Sequence, residues 1–343
     1  MAGRTIIKDN PSANLEKLNS IEGYVKYFMD PNLWTPYIQK AFTAFLGNAI
    51  FKIDTGIAGT YPTFIVNNRW VIKFFGQLFD GQESYMVEKT VTMLIHQQET
   101  FPAPKILFTG SLFPEESFSW PYLIYNFIPG ISIGSAFERI HQDDLVKLAN
   151  WLGRKTRILH ETPYIKEIRD QLPKQASILN FDTNECIQRQ IQLGILPDYL
   201  IDQIEPFLEA TDKIELTSRP HHLIHADITA DHILGTLNGD RWRTLAVIDY
   251  GDAMIGNLEY ELVAIHLDLF KRKKELLNEY LVGYGKDIIS QENIPLACLR
   301  MMLLHRFSVL GFLAQANLNS RNCLSLYHLA DQLWDVDSPN NFT

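Results

Sequence analysis

The sequence predicts an α+β protein with two lobes, a small β-rich one followed by a larger, mainly helical one. Short apolar runs between residues 49 and 76, separated by Gly, Pro and Asn, are typical of strands and turns. Beyond residue 143 most apolar residues recur at helical spacing. We therefore assign residues 1–125 to an N-terminal lobe, 126–130 to a hinge and 131–343 to a C-terminal lobe, and expect a cleft between the lobes.

The elements of the N-terminal lobe follow from these patterns in order. The first ten residues have no periodic pattern and are expected to form a loose tail. Gly56, Gly59 and the pair Asn67-Asn68 mark the turns of the β-rich stretch. The predicted elements are a helix over 33–48, three strands within 49–76, a helix over 83–98, and strands at 105–108 and 122–125.

The C-terminal lobe is predicted to be helical with one β-rich interruption. Pro129-Gly130 breaks the chain before it begins. The predicted helices lie at 143–160, 183–193, 198–213, 258–283 and 294–334, and the β-rich segment lies at 222–250.

Composition and charge exclude several classes of function. Of the 343 residues, 46% are hydrophobic and 21% are charged, as in chains that bury a core. The net charge of -9 argues against nucleic-acid binding, which depends on clustered Lys and Arg, and suits a neutral or cationic substrate. No stretch of about 18 apolar residues occurs, so we expect no membrane span and a cytoplasmic setting. The oligomeric state is not predicted.

Two acidic segments carry the strongest chemical signal. Asp227 follows the apolar run that ends at Ile224, and Asp249 directly follows Val247-Ile248. Both carboxylates could therefore project from strand ends into one crevice. Two adjacent carboxylates repel each other unless a cation lies between them. A divalent metal would meet that need, and nucleotide phosphates would be its natural partner.

Both segments resemble signatures of the aminoglycoside phosphotransferase family, whose small-molecule kinases share the protein kinase fold. The family's catalytic loop reads roughly H-G-D-L-x-x-x-N-I-L and its metal loop I-D-F-G-D-A, whereas this chain has HADITADHIL and IDYGDA. Three further pieces match in order. They are Lys73 with Glu88 fifteen residues later, the segment 122–130, and Leu159-His160-Glu161-Thr162-Pro163. The resemblance covers about residues 50–265 and implies a two-lobed, protein-kinase-like fold.

The resemblance also implies a role for each matching residue in a transfer from ATP (or GTP) to a small-molecule hydroxyl. Asp227 would accept or orient the hydroxyl proton, and Asp249 would hold Mg²⁺, with Mn²⁺ as an alternative. Lys73, fixed by Glu88, would pair with the phosphates, and Gly56 and Gly59 would let the backbone approach them. Adenine would contact the backbone of Tyr125, Asn126, Phe127 and Ile128.

The chain departs from the family pattern at His232, which stands where the family has a metal-binding Asn. An imidazole nitrogen is a softer ligand than an amide oxygen and suits Zn or Mn better than Mg. His232 is therefore a candidate metal ligand. A non-catalytic nucleotide-binding module stays open as an alternative. Glu261 replaces the family's Asp and is expected to brace the catalytic loop, while Asp252 could support the metal or cap a turn.

Two other patterns allow more than one interpretation. His221, His222, His225 and His232 with Asp227 could form the metal site of a hydrolase, although His222 and His225 would face opposite sides of a strand. Asp198, Asp202 and Glu205 begin an acidic helical face. It is either a solvated surface or a wall that attracts a cationic substrate such as an aminoglycoside or another amine. The resemblance leaves the acceptor open among an aminoglycoside, an amino-alcohol and a sugar-like compound.

Overall fold

The computed structural model describes residues 11–47, 52–57, 59–99, 101–115, 119–163, 166–177, 179, 182–212, 221–285, 294–305, 309–311 and 323–336. The chain divides into two compact units. The first comprises Met1–Leu94 with Ala103–Pro129, and the second comprises Ile95–Pro102 with Gly130–Thr343. A sheet dominates the first unit and helices dominate the second, so the α+β prediction is confirmed. The predicted N-terminal tail lies outside the described residues.

A five-stranded antiparallel sheet forms the centre of the first unit, in the order β1-β2-β3-β5-β4. Its strands are β1 (Ile53–Thr55), β2 (Thr63–Val66), β3 (Trp70–Phe74), β4 (Ile106–Leu112) and β5 (Trp120–Asn126). Asn67 and Asn68 join β2 to β3 with φ values of 52° and 51°. Asn tolerates this left-handed conformation, which suits the twist of a two-residue hairpin.

Three α-helices and a 3-10 helix pack with this sheet. They are the 3-10 helix Pro11–Asn19, α1 (Ile21–Tyr27), α2 (Pro31–Leu46) and α3 (Gly81–Gln98), whose last turn belongs to the second unit. Asp30 caps α2 by accepting from the Asn32 N–H, with Pro31 at the first position. Trp34 of α2 is fully buried and stacks on Phe74 of β3, with ring centroids 4.6 Å apart. This contact joins the helix to the sheet.

The second unit contains nine further α-helices within the described residues. They are α4 (Gln142–Glu161), α5 (Lys166–Gln171), α6 (Thr183–Leu193), α7 (Asp198–Ile201), α8 (Ile204–Asp212), α9 (Leu258–Ala264), α10 (Lys274–Tyr284), α11 (Ile294–Leu304) and α12 (Leu326–Trp334). Helices α4 and α10 pack closely because glycines lie at their contact. A Cβ at Gly153 would lie 2.0 Å from the Tyr280 carbonyl oxygen, and one at Gly283 would lie 2.1 Å from that of Asn150. None of the described helices is both long and apolar enough to cross a bilayer.

Two small antiparallel sheets place the acidic segments. One pairs β10 (Met254–Gly256) with β7 (His222–Ile224), and the other has the order β6 (Ile131–Ser132), β8 (Ile233–Asn238) and β9 (Arg241–Val247). Residues 225–232 form the loop from β7 to β8, which we call the catalytic loop. Asp249 lies two residues beyond the end of β9.

The predicted helix over 198–213 was wrong as a single element, because α7 and α8 are separated at residues 202–203. Pro206 explains the break. A continuous helix would need an N–H at position 206 to donate to the carbonyl of Asp202, and proline has none. Residue 213 lies outside the described residues.

The predicted helix over 258–283 was also wrong as a single element. A five-residue π-helix, Ile265–Leu269, follows α9, and the Phe270 N–H donates to the Ile265 carbonyl at 2.8 Å. Lys271 and Arg272 then take left-handed conformations with φ values of 49° and 62°, which end the helix before α10 begins. The predicted helix over 294–334 contains α11 and α12, and only part of the segment between them is described.

Candidate active site

In the first unit the structure contains the Lys–Glu ion pair that the sequence predicts. Lys73 Nζ lies 2.7 Å from Glu88 Oε2, and both side chains are buried. The Tyr125 hydroxyl donates to Glu88 Oε1, also at 2.7 Å. Glu88 therefore has a partner on each oxygen, which fixes its position on α3. The sequence did not predict the hydroxyl contact, since Tyr125 had been assigned only a backbone role.

The glycine and hinge candidates also lie in the first unit. A Cβ on Gly56 would approach Thr63 to 2.9 Å, so glycine is needed there for the contact between β1 and β2. Gly59 is exposed. The N–H groups of Asn126 and Phe127 donate to the carbonyls of Lys105 and Arg69. Their own carbonyl oxygens can accept more than one bond, so adenine recognition by residues 125–128 stays a prediction.

In the second unit the structure brings Asp227, His232 and Asp249 together. His232 Nδ1 lies 3.4 Å from Asp227 Oδ2, and His232 Nε2 lies 3.7 Å from Asp249 Oδ2. The imidazole is mostly buried, with 14% of its side chain exposed, whereas Asp227 keeps 36% exposed. Asp249 has a left-handed φ of 66°, a conformation that Asp tolerates. The two acids therefore flank one histidine ring.

The surroundings of Asp227 raise its pKa to about 7. Burial of the carboxylate is the main cause, and the negative charges of Asp252, Asp249 and Asp268 add to it. His232 opposes the rise. The exposed third of the side chain lets solvent screen part of these effects. A carboxylate with a raised pKa is a better proton acceptor near neutral pH than an ordinary aspartate.

Glu261 and His225 hold the catalytic loop, and the contact of Glu261 agrees with the expectation from the sequence. Glu261 accepts from the His225 N–H at 3.1 Å and from the Ala226 N–H at 2.6 Å. His225 Nε2 donates to the Ile248 carbonyl, while its Nδ1 accepts from the Asp227 N–H. A nitrogen that accepts carries no hydrogen, so the contact at Nδ1 requires the neutral ring. Burial is the main cause, and the neighbouring His232 a further one, that lowers the pKa of His225 to about 4. The loop is thus tied to both α9 and the segment that carries Asp249.

Asp268 is a further support for the loop that the sequence did not predict. Its Oδ1 accepts from the Ala230 N–H at 2.6 Å. Asp268 lies in the π-helix, and the two left-handed residues follow it. These features have no periodic signature in the sequence, and the segment had been predicted as an uninterrupted helix.

The other candidate residues lie on and between α7 and α8, three residues after Asp249, and on β7. Asp198, Asp202 and Glu205 are exposed on α7, on the turn after it and on α8. Asp252 is exposed and acts on Asp227 through its charge. His222 stacks on His160, with ring centroids 4.9 Å apart, and its Nδ1 donates to the His160 carbonyl.

Within the described residues no set of three His, Cys, Asp or Glu side chains has a geometry that could hold a metal by itself.

The comparisons with known proteins identify the family. The APH model, described as the phosphotransferase enzyme family, matches residues 58–293. Because this is more than half of the chain, the chain belongs to the phosphotransferase enzyme family. The predicted resemblance is confirmed, and the family defines a phosphotransferase that acts on hydroxyl groups.

Solved structures show that the fold is that of the aminoglycoside kinases. The GDP complex of wild-type aminoglycoside 2'-phosphotransferase-IIIa has a TM-score of 0.64 at 19% identity, covering 90% of this chain and 99% of that one. Spectinomycin phosphotransferase APH(9)-Ia, in complex with ADP and spectinomycin, has a TM-score of 0.54 at 16% identity, covering 90% and 95%. The predicted protein-kinase-like fold is therefore confirmed.

A curated relative is similar over part of its length. Lysine-specific demethylase JMJ21 of Arabidopsis thaliana is 26% identical over 243 residues, which are 59% of this chain and 25% of that protein. The match therefore spans about a quarter of the relative's length. The demethylase name applies to that protein.

Proposed function

We propose that this chain transfers the γ-phosphate of ATP (or GTP) to a hydroxyl group of a small molecule, with Asp227 as the catalytic residue. The observation that carries the proposal is the placement of Asp227 and Asp249 on either side of His232. Such a transfer needs two acids, one that takes a proton and one that binds a cation. Asp227 and Asp249 are proposed for these two roles.

The proposed step moves one proton to Asp227 and one phosphoryl group to the acceptor. The acceptor's O–H bond breaks and its proton passes to a carboxylate oxygen of Asp227. The acceptor oxygen forms a new bond to the γ-phosphorus while the bond to the β-phosphate oxygen breaks, and the nucleoside diphosphate leaves. The raised pKa of Asp227 lets it hold that proton near neutral pH. Glu261 and His225 hold the loop so that Asp227 keeps its position.

The donors near Asp249 fit a divalent ion that is shared with nucleotide phosphates. Asp249 offers a carboxylate, and His232 offers an imidazole nitrogen beside it. Two protein donors do not hold an ion alone, but Mg²⁺ is commonly bound by one or two carboxylates together with substrate phosphates and water. We therefore propose Mg²⁺, or Mn²⁺, with Asp249 and His232 as its protein ligands. Such an ion would neutralise charge on the phosphates.

Lys73 is proposed to contact the nucleotide phosphates. Its ammonium is buried and fixed by Glu88, so it has a defined position with little remaining rotamer freedom. The similar structures include a GDP complex and an ADP complex, which supports nucleotide binding by this chain. Gly56, Gly59 and the backbone of residues 125–128 are proposed to line the rest of the nucleotide site.

The acceptor is proposed to be a hydroxylated and cationic small molecule, such as an aminoglycoside, an amino-alcohol or an aminated sugar. Two of the similar phosphotransferases are complexes with kanamycin and with spectinomycin. Asp198, Asp202 and Glu205 are exposed carboxylates that could attract a cation. In Asp202→Asn/Glu205→Gln the KM for an amine acceptor should rise, while the KM for a neutral acceptor stays constant. An unchanged KM for the amine would remove these residues from the proposal.

A phosphate-transfer assay tests the proposed function. The protein is incubated with γ-labelled ATP or GTP, Mg²⁺ or Mn²⁺, and a panel of hydroxylated amines and sugars. Asp227→Asn and Asp249→Asn should each lower the transfer rate by at least about 100-fold, the range typical of a lost general base or metal ligand. Asp231→Asn is the matched control, because it removes an exposed carboxylate from the same loop.

Two results would overturn the proposal. Transfer that survives both Asp227→Asn and Asp249→Asn would show that these acids do not carry the reaction. Nucleotide binding by the wild type without transfer to any acceptor would favour the alternative of a non-catalytic binding module.

A further inference from the structure

The orientation of the His232 ring identifies which nitrogen can bind a metal. Nδ1 lies 2.7 Å from the backbone carbonyl oxygen of Asp227 and 3.1 Å from the Thr229 hydroxyl. A carbonyl oxygen can only accept a hydrogen bond, so Nδ1 carries a hydrogen. In the neutral ring Nε2 is then the basic nitrogen, and it is the nitrogen that faces Asp249.

The spacing of Nε2 and Asp249 suits a shared metal ion. Their separation of 3.7 Å is longer than a hydrogen bond. Two ligands that are each about 2.1 Å from one ion lie roughly 3.0 to 3.7 Å apart, depending on the angle at the ion. In addition, metal-bound histidines usually donate their other ring N–H to a carbonyl or carboxylate. The contact between Nδ1 and the Asp227 carbonyl provides that arrangement.

The chemistry of this donor pair differs from that of the family pattern. The Asn of the family's loop would offer an amide oxygen, which suits Mg²⁺. An imidazole nitrogen binds Mn²⁺ and later first-row ions more readily than Mg²⁺, whereas a carboxylate and phosphates favour Mg²⁺ and Mn²⁺. Between these two ions, the mixed set of imidazole, carboxylate and phosphate donors therefore favours Mn²⁺.

We propose that His232 Nε2 is the residue that sets metal specificity, so that the site prefers Mn²⁺ to Mg²⁺. The inference rests on the proposed function, because nucleotide phosphates would supply the remaining ligands. It differs from that function in predicting which ion is bound and which atom selects it.

Electron paramagnetic resonance of Mn²⁺ tests the inference without relying on catalysis. Mn²⁺ is titrated into the full chain with a non-hydrolysable ATP analogue, and the Mg²⁺ concentration that displaces half of it is measured. The wild type should need at least about 10-fold more Mg²⁺ than His232→Asn, which restores the amide oxygen. His222→Asn is the matched control and should behave as the wild type, because His222 contacts His160 and lies outside the cluster.

A second measurement needs no variant. Pulsed spectra of the wild-type Mn²⁺ complex should show the nitrogen coupling of a directly bound imidazole. Absence of that coupling, or equal Mg²⁺ displacement in wild type and His232→Asn, overturns the inference while leaving the proposed phosphate transfer intact. Failure to bind either ion together with nucleotide would overturn both.

Discussion

The ammonium of Lys73 and the carboxylate of Glu88 form an ion pair of 2.7 Å on side chains that are only 7% and 4% exposed. Removing charges from water is costly, and the cost is repaid here by the pair itself and by the Tyr125 hydroxyl on the second carboxylate oxygen. The pair therefore holds a cation at a fixed position on β3. It also makes each partner depend strongly on the other for stability.

A double-mutant cycle should measure that dependence. Lys73→Met or Glu88→Gln alone leaves one buried group without its partner, so each should lower the free energy of unfolding by about 3 kcal/mol or more. The double variant removes both and should lose clearly less than the sum of the single losses. Urea denaturation of the four proteins gives these values. Strictly additive losses would show that the two residues are not coupled.

A second prediction concerns Ala226, which has a left-handed φ of 69° in the catalytic loop. A Cβ in that conformation costs roughly 1 kcal/mol or more, whereas glycine adopts it freely. Ala226→Gly should therefore raise the free energy of unfolding by about 0.5 kcal/mol, since the greater entropy of an unfolded glycine offsets part of the gain. Chemical denaturation checks this value.

The same substitution at a right-handed position provides the control for Ala226→Gly. Ala264 has a φ of -64° and a ψ of -45°. Ala264→Gly should lower the free energy of unfolding by about 1 kcal/mol. Equal losses of stability from Ala226→Gly and Ala264→Gly would contradict the left-handed conformation of Ala226.

A third prediction concerns the pH dependence of stability. Burial, helped by the charges of Lys274 and Arg272, lowers the pKa of His266 to about 3, and its Nε2 donates to the Leu333 carbonyl. The unfolded chain takes up this proton near pH 6.5 and the folded chain does not. The stabilising contribution is thus complete above pH 6.5 and is lost as the pH falls from there towards 3.

His266→Gln isolates this contribution, because glutamine can still donate to Leu333 but does not titrate. At pH 7.5 the wild type and the variant differ by a fixed free energy. Between pH 6.5 and 5.0 the wild type should lose about 2 kcal/mol relative to the variant, at about 1.4 kcal/mol per pH unit. Urea denaturation at several pH values measures the difference in free energy of unfolding between the two proteins. The contributions of other titrating groups cancel in this difference. A difference that is independent of pH would contradict the burial of a neutral ring.

The sequence predicted the parts of this protein that depend on local patterns and ordered motifs. The Lys73–Glu88 pair and the proximity of the loops that carry Asp227 and Asp249 were predicted, because strand ends and a helix face place such residues together. The errors arose where one residue overrides periodicity. Pro206 divides a helix whose apolar spacing is otherwise regular, because it lacks a single N–H.

Contacts between distant segments were the part that the sequence could not predict. The Tyr125 hydroxyl reaches Glu88 only because β5 lies beside β3, with Tyr125 opposite Val71. Asp268 lies in a π-helix and accepts from the Ala230 N–H, which is 38 residues earlier in the chain. Neither contact leaves a spacing pattern in the chain, since each depends on how separate elements pack.

The last prediction concerns Glu261, which accepts one backbone N–H on each carboxylate oxygen. Glutamine has one oxygen and one NH₂ group, so in Glu261→Gln a donor would face a backbone donor. The variant should lower the free energy of unfolding by about 1–3 kcal/mol, the cost of an unsatisfied buried group.

Glu261→Gln should also change the kinetics. Because these N–H groups belong to His225 and Ala226, next to Asp227, the loop should lose its exact position. We therefore expect kcat for phosphate transfer to fall by at least about 10-fold while the KM for nucleotide stays nearly constant. Steady-state kinetics over a range of pH, at a temperature well below unfolding, separates the two effects. A displaced Asp227 should shift the pH profile of kcat, whereas a smaller active fraction would lower kcat without moving that profile. An unchanged kcat in a folded Glu261→Gln protein would show that the position of Asp227 does not depend on this carboxylate.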